Sequence, residues 1–223
     1  MPDRPYPKNI PHDPLGHAAV HITYRLYRSL PKQIFTTLAA RRQKQIEELE
    51  DELLKFRPDQ AEEVRRLRTR QIDGRYELAI DQALHQANIP QSYSLTEAFV
   101  RQTVRDSWLH LQQRETIFLY ALCIMGNHVH VILRSFDETM DISVAKVMNN
   151  HKGYTARIIN RQRGQIGTPF WAKGYFDRRI RQGKFMTAMW YMLNNPVKAG
   201  LVEEWQDWAG TYVHPDYVDL FVE

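Results

Sequence analysis

The chain has 223 residues, of which 43% are hydrophobic and 25% charged, and this composition is typical of a globular protein rather than a disordered one. Its length fits one domain, or one domain that carries an insertion. The formal net charge of +4 favours an anionic partner, although so small an excess does not decide which kind.

The first predicted elements are an irregular arm and a strand. Residues 1–16 contain five prolines and form the predicted N-terminal arm. From His17 onwards apolar and polar residues alternate, so that Val20 and Ile22 share one face of a half-buried strand. Pro31 ends this strand.

The next segment is predicted to be a charged helical hairpin. In residues 33–86 the sparse apolar residues recur at helical spacing, and Pro58 interrupts the pattern. We interpret residues of about 33–95 as an insertion between the first strand and the rest of the core. Sequence alone leaves two roles open for it, namely a grip on nucleic acid or a partner, and a plain spacer.

The remaining pattern predicts alternating helices and strands. In chain order these are a helix capped by Ser94 and running to Gln112, a strand over 116–125, a turn at Gly126-Asn127, a strand to Leu133, a helix capped by Ser143 and running to Gln162, a strand near Ile180, and a helix over 185–194. We therefore predict an α+β fold with an antiparallel sheet and packed helices. A single domain would span residues 17–215, followed by a C-terminal tail over 216–223.

Cysteine usage and hydropathy indicate where the protein resides. Cys123 is the one cysteine in the sequence and lacks a partner for an internal disulfide, which fits a reducing cytoplasm. No apolar stretch reaches membrane-spanning length, and the proline-rich start lacks the features of a signal peptide. We therefore expect a cytoplasmic protein with no membrane partner.

Two histidines inside an apolar strand form the first candidate site. Side chains alternate along a strand, so His128 and His130 share one face while Val129 and Val131 take the other. Two adjacent imidazoles opposite a core face are typical of a metal or phosphate site. The alternative is half-exposed polar filler, or a pair of histidines whose hydrogen bonds are satisfied in the core.

A tyrosine and an asparagine form the second candidate. On a helix, Tyr191 and Asn195 lie one turn apart on the same face. If that face looks at His128 and His130, two imidazoles, an amide oxygen and a phenol meet in one site. Such a set suits phosphodiester transfer, with a divalent ion that polarises the phosphate and a phenol that attacks it. Alternatively, Tyr191 is a core aromatic and Asn195 a helix-ending residue before proline.

A basic segment with interleaved aromatics is the third candidate. This mixture suits single-stranded nucleic acid, because cations contact phosphates and rings stack on bases. The alternative is a solvated basic loop beside buried aromatics. The candidate contacts are Trp171, Lys173, Tyr175, Arg178, Arg179, Arg181 and Lys184.

Taken together, the motifs resemble one family. The residues that carry the resemblance are Met125-Gly126-Asn127-His128-Val129-His130, Lys152-Gly153-Tyr154 with Asn160, Phe170-Trp171, Tyr175-Phe176-Asp177-Arg178, and Tyr191 followed by Asn195-Pro196-Val197-Lys198-Ala199-Gly200-Leu201-Val202. The chain resembles the single-tyrosine HUH transposases, and among them most closely the REP-associated tyrosine transposases. The resemblance covers residues 116–213 well and 17–30 loosely, but it does not extend to 33–95.

The resemblance implies a ferredoxin-like fold and a set of roles. His128, His130 and Asn195 would hold a divalent metal, Mg²⁺ or Mn²⁺, and Tyr191 would be the nucleophile. The tyrosine would attack single-stranded DNA beside a hairpin, form a 5′-phosphotyrosine link and free a 3′-hydroxyl. Rejoining by a second strand end would then need no ATP. Relatives act as homodimers or as monomers, and the sequence does not choose between them.

Some residues depart from the family pattern or compete with the assigned ones. Gly126 stands where the family usually has proline, and a glycine can make the same turn. Tyr154 and Tyr175 are rival nucleophiles outside the Asn-Pro helix, and we interpret Tyr154 as a packing residue and Tyr175 as a base-stacking one. By chemistry alone two imidazoles and an amide suit zinc, manganese or nickel, whereas the resemblance favours magnesium or manganese.

Two functions of other classes remain as alternatives. One is a protein that binds structured single strands without cutting them. The other is a structural metal or interaction protein, in which removal of the metal would lower the melting temperature and leave DNA binding unchanged.

Overall fold

In the computed structural model, the described residues are 15–87, 94–137, 139–140 and 142–222, so most of the predicted N-terminal arm lies outside them. The strands are β1 (Val20–Arg25), β2 (Ile117–Ile124), β3 (His128–Ser135), β4 (Phe176–Arg179) and β5 (Thr211–Val213). The helices are α1 (Lys32–Leu53), α2 (Pro58–Gln86), α3 (Ala98–Gln113), α4 (Val144–Gln162), α5 (Phe185–Leu193), α6 (Asn195–Lys198) and α7 (Pro215–Val218), with a 3₁₀ turn at Trp205–Asp207.

The strands form one antiparallel sheet in the order β4-β1-β3-β2-β5. With helices between β1 and β2 and between β3 and β4, the chain follows the β-α-β-β-α-β order of a ferredoxin-like fold. β5 extends the sheet at the β2 edge. The α+β fold with packed helices that the sequence predicts is therefore confirmed.

Helices cover both faces of this sheet, and β3 lies at its centre. Val129 and Val131 belong to the core under α3 and α4. Ile132 faces the other way and packs in the layer that contains Met189 and Met192 of α5. Alternation along β3 therefore places His128 and His130 on the α5 side of the sheet.

The charged helical hairpin is present as α1 and α2, and Pro58 stands at the first residue of α2, where a proline costs no hydrogen bond. The outer part of the hairpin is held by its own small apolar cluster, which includes Leu49 and Ile72. The inner part of α2 packs through Ile80 and Leu84 in a cluster that also contains Phe176 of β4. The hairpin is thus docked on the α5 side of the domain.

Two serine caps were predicted, and one of them is confirmed. Ser143 accepts a hydrogen bond from the backbone N–H of Lys146 at the start of α4. The Ser94 cap is wrong, because α3 begins at Ala98 after Glu97 and has no side-chain cap among the described residues. The Ser94 hydroxyl instead accepts from the backbone N–H of Thr96, two residues later.

The end of the chain packs against the domain. Phe221 is buried, its ring lies 5.4 Å from that of Trp190, and its carbonyl accepts from Trp205 Nε1. Within the described ranges, the helices are all too short or too polar to cross a membrane.

Candidate metal centre and nucleophile

The two histidines of β3 meet a carboxylate that sequence reasoning missed. His128 and His130 are each 1% exposed. Their Nε2 atoms lie 3.5 Å and 3.1 Å from Oδ1 of Asp81. Asp81 is 6% exposed and comes from the inner part of α2, within the proposed insertion.

His85, one helical turn after Asp81, joins the same cluster. Its Nε2 atom lies 4.0 Å from Asp81 Oδ2, and its ring centroid lies 5.2 Å from that of His128. One ligand atom from each of Asp81, His85, His128 and His130 lies within 4.8 Å of the others. The sequence signal that could have identified Asp81 and His85 as site residues is their Asp-x-x-x-His spacing, which places both side chains on one face of a helix.

Hydrogen bonds assign the tautomer of His128. Asn127 donates through Nδ2 to the carbonyl of Leu84 at 2.8 Å, which fixes the orientation of its amide. The Oδ1 atom of Asn127 therefore accepts from His128 Nδ1–H at 2.5 Å. The Nε2 atom of His128 is left with a lone pair that faces Asp81.

His130 is oriented from its other ring nitrogen as well. Its Nδ1 atom lies 3.0 Å from the Thr23 hydroxyl and 3.1 Å from His21 Nε2. Thr23 and His130 are directly opposite each other in the β1–β3 ladder, so the strand register sets this contact. An outer hydrogen bond of this kind is typical of metal-binding histidines.

The predicted nucleophile reaches the same carboxylate. Tyr191, on α5, donates its hydroxyl proton to Asp81 Oδ2 at 2.6 Å. The ammonium of Lys198 lies 4.2 Å from the centroid of the Tyr191 ring. Lys198 was not among the predicted site residues, although its position seven residues after Tyr191 is the helical spacing that brings two side chains to one face.

Asn195 begins α6, directly after the helix that carries Tyr191. It is fully buried, and neither its Oδ1 nor its Nδ2 atom has a hydrogen-bond partner among the described residues. The predicted helix end at Asn195-Pro196 appears as a junction, since α5 ends at Leu193 and α6 follows with proline in its first turn. Buried amides without hydrogen-bond partners are rare, and an amide oxygen of this kind can serve as a ligand for a cation.

Burial and charge set the protonation states of the cluster. Burial lowers the pKa of His128 well below its usual value and also lowers the pKa of His85. Burial opposes ionisation of Asp81, but His130 and His128 outweigh it and hold the pKa of that carboxyl below its usual range. Burial, reinforced by Asp81, raises the pKa of Tyr191. The cluster thus combines a carboxylate and a protonated phenol with imidazoles, of which burial favours the neutral form at His85 and His128.

These groups fit a divalent cation. Four buried polar atoms of the cluster have no hydrogen-bond partner within the part of the chain that the structure describes, namely Asp81 Oδ1 and the Nε2 atoms of His85, His128 and His130. Imidazole nitrogens with one carboxylate oxygen suit Mn²⁺ and Zn²⁺, while Mg²⁺ prefers oxygen ligands.

The predicted basic contacts are all on the surface. Lys173, Arg178, Arg179, Arg181 and Lys184 are exposed, and the last four run from the edge strand β4 to the start of α5. Arg178 is not free, because its guanidinium pairs with Glu77 of α2 at 2.6 Å.

The two residues predicted to stack on bases are not on the surface. Trp171 and Tyr175 are each 7% exposed in the core beneath α4, and Trp171 donates to the Thr155 hydroxyl. Because both rings are buried, neither offers a face on which a base could stack. The prediction that these two residues stack on bases is therefore wrong. Tyr154 is also corrected, since it is 49% exposed on α4 rather than packed.

Comparisons with known proteins bear on this arrangement. Residues 88–195 match the family model described as "Transposase IS200 like", and this segment contains the two histidines of β3, Tyr191 and, at its last position, Asn195. No curated protein matches the chain.

Among solved structures, one similar chain is described as "Structure of the REP associates tyrosine transposase bound to a REP hairpin". It is 14% identical with a TM-score of 0.56, and the alignment covers 98% of this chain and 89% of that one. At this identity the likeness shows the fold. The family model spans the strand and the helix that bring the candidate residues together, and over residues 88–195 the chain is similar to the IS200-like transposases.

Proposed function

We propose that the protein is a metal-dependent endonuclease and strand transferase for single-stranded DNA, which forms a 5′-phosphotyrosine intermediate at hairpin-flanked sites. One observation carries the proposal. The Tyr191 hydroxyl and the imidazoles of His128 and His130 converge on the same carboxylate, Asp81, at 2.6 Å, 3.5 Å and 3.1 Å. A nucleophile beside a group of metal-binding side chains is the arrangement that phosphoryl transfer requires.

We assign the roles from this geometry together with the family resemblance. His128, His130 and Asn195 would hold a divalent metal, Mg²⁺ or Mn²⁺, which when bound would polarise the scissile phosphate. The Tyr191 oxygen attacks phosphorus, the P–O3′ bond breaks, and the DNA leaves with a free 3′-hydroxyl. A second 3′-hydroxyl then attacks the phosphotyrosine and releases Tyr191. Each step exchanges one phosphodiester bond for another, so no ATP is consumed.

Tyr191 must lose a proton before it attacks. Burial and the charge of Asp81 raise its pKa, so the phenol is protonated at neutral pH and directs its proton to Asp81 Oδ2. The Lys198 ammonium lies 4.2 Å from the centroid of the same ring, where it stabilises negative charge on the phenol.

The DNA contacts belong to the exposed basic residues, which are Lys173, Arg178, Arg179, Arg181 and Lys184. The solved relative of similar fold is described as bound to a REP hairpin, which supports a hairpin-forming DNA partner here. Because the histidines, Asp81, Asn195 and Tyr191 all come from one chain, the proposal holds for a monomer and for a homodimer. We also propose one domain over residues 17–215, with an insertion at about 33–95.

The test is covalent capture of DNA. The protein is incubated with Mn²⁺ and a pool of labelled single-stranded hairpins and then run on a denaturing gel. We expect a protein–DNA adduct in the wild type that Tyr191→Phe abolishes, because the phenylalanine lacks the attacking oxygen. Tyr154→Phe, which changes an exposed tyrosine on α4, is the matched control and should retain the adduct. An adduct that persists in Tyr191→Phe would refute the assignment.

A protein that binds structured single strands without cutting them is the second candidate. It is favoured by the hydrogen bond from the Tyr191 hydroxyl to Asp81, because the negative carboxylate raises the pKa of the phenol and so opposes its ionisation. On a native gel with the same pool, this candidate predicts retarded DNA that remains uncut with Mn²⁺.

A further inference from the structure

We infer that Asp81, near the C-terminal end of α2, is a metal ligand of the active site, so that the insertion helix supplies part of the catalytic centre. The inference rests on the proposed function and assigns a ligand outside residues 88–195, which are the ones that match the transposase family.

The distances at Asp81 are close to those between ligand atoms around one ion. Bonds of about 2.1 Å from a metal to nitrogen and oxygen separate neighbouring ligand atoms by about 3.0–3.4 Å. Oδ1 of Asp81 lies 3.1 Å from His130 Nε2 and 3.5 Å from His128 Nε2. All three atoms are buried and lack hydrogen-bond partners among the residues described.

The proton positions favour a cation between Asp81 and His128. His128 carries its proton on Nδ1, because that atom donates to Asn127 Oδ1. Its Nε2 lone pair therefore faces the carboxylate oxygen of Asp81 with no proton between them. Two buried acceptors that face each other repel unless a positive charge lies between them.

The docking of α2 is fixed by contacts on both sides of Asp81. Glu77, one turn earlier, pairs with Arg178 at 2.6 Å. Ile80 and Leu84 pack in the cluster that contains Phe176, and the Leu84 carbonyl accepts from Asn127 Nδ2. The same two turns of α2 thus supply the carboxylate and, through Asn127, hold the His128 tautomer that binds metal.

This assignment also places the nucleophile. Oδ2 of Asp81 accepts from the Tyr191 hydroxyl at 2.6 Å, while Oδ1 faces the two histidines. One carboxylate therefore fixes the distance between the metal ligands and the attacking oxygen. A negative ligand also increases affinity for a divalent cation beyond what neutral imidazoles and an amide give.

The test measures metal binding by the full chain without DNA. Metal-free protein is titrated with Mn²⁺ in a calorimeter, and its melting temperature is recorded with and without Mn²⁺. We expect Asp81→Asn, which keeps the shape and removes the charge, to bind Mn²⁺ at least tenfold more weakly and to lose most of the metal-induced rise in melting temperature. The control is Asp73→Asn, which lies two turns earlier on the same face and pairs with Arg42 of α1.

The outcomes separate the two proposals. Equal Mn²⁺ affinity in wild type and Asp81→Asn would overturn the inference, as would a lower melting temperature of the metal-free variant with an unchanged response to Mn²⁺. Tyr191→Phe should bind Mn²⁺ like the wild type. Metal binding that depends on Asp81 in a protein that never forms the DNA adduct would refute the proposed function alone. If the protein forms the DNA adduct but Asp81→Asn binds Mn²⁺ as tightly as the wild type, only the inference about Asp81 is refuted.

Discussion

At the scale of single residues, His151 of α4 links core packing to pH. Trp108 Nε1 donates to the Tyr24 hydroxyl, that hydroxyl shares a hydrogen bond with His151 Nε2 at 2.7 Å, and His151 Nδ1 shares one with Ser107 Oγ at 2.8 Å. A neutral imidazole satisfies both contacts by donating through one ring nitrogen and accepting through the other. Burial lowers the pKa of His151 to about 3, so the folded protein keeps it neutral under mildly acidic conditions.

The sign of the pH effect follows by linkage. The pKa of His151 is about 6.5 in the unfolded chain and about 3 in the folded one, so between these values the unfolded state binds more protons. The free energy of unfolding should therefore fall as the pH drops from 6.5, by at most about 1.4 kcal/mol per pH unit from this residue.

His151→Gln should be less stable than the wild type at pH 7.5, because the network loses its imidazole. The difference in the free energy of unfolding between the two proteins should be smaller at pH 5, because the wild type loses stability through His151 whereas the glutamine does not titrate. Urea unfolding at both pH values measures this difference. The contributions of the other buried histidines are the same in both proteins and cancel. Parallel losses of stability in both proteins would contradict the assignment.

At the scale of elements, what could be predicted from sequence depended on how local the determining contacts are. His128 and His130 share a face because they lie two residues apart in one strand, and the sequence shows that directly. The helix that begins after Ser143 was equally local, because its cap bonds only three residues away. The hairpin was predicted from helical spacing and the break at Pro58.

Asp81 could not be found in this way. Its partner Tyr191 is 110 positions away in the sequence, and the two meet only because α2 docks on β4 through apolar contacts that no spacing rule encodes. The burial of Trp171 and Tyr175 has the same cause. A run of basic and aromatic residues has the same composition whether its rings face solvent or the core, and here α4 covers them.

The junction of β5 with β2 supplies a prediction about one element. Gly210 lies so close to the end of β2 that an added Cβ would stand 2.3 Å from the Ile124 carbonyl oxygen and 2.6 Å from Trp208 Nε1. Gly210→Ala should therefore push β5 away from the sheet and lower the free energy of unfolding by about 1–3 kcal/mol. Chemical denaturation measures the change.

Gly153 is the matched control for that substitution. It is exposed on α4, and an added Cβ would meet no atom within 4 Å in the described part of the chain. Gly153→Ala should leave stability unchanged or raise it by up to about 1 kcal/mol, because alanine favours the helix. Similar losses from both substitutions would mean that the close approach at Gly210 is not the cause.

At the scale of the whole molecule, the small net charge of +4 matters less than where the cations lie. The exposed basic residues from Arg178 to Lys184 connect the edge strand β4 to the helix that carries Tyr191. The hairpin, in contrast, pairs several of its cations internally, as Arg65 does with Glu50. DNA drawn to the basic segment would therefore be led towards the nucleophile.

This arrangement predicts how DNA binding depends on salt. Arg181→Ala and Lys184→Ala should each weaken binding of a fluorescent single-stranded hairpin and reduce the slope of log affinity against log salt by about 0.7, the value for one phosphate contact on a single strand. Arg65→Ala removes the same charge from the hairpin and should leave the slope unchanged. Fluorescence anisotropy over a series of salt concentrations measures all three variants. If Arg65→Ala changes the slope as much as the other two, net charge attracts the DNA and the basic segment does not contact its phosphates.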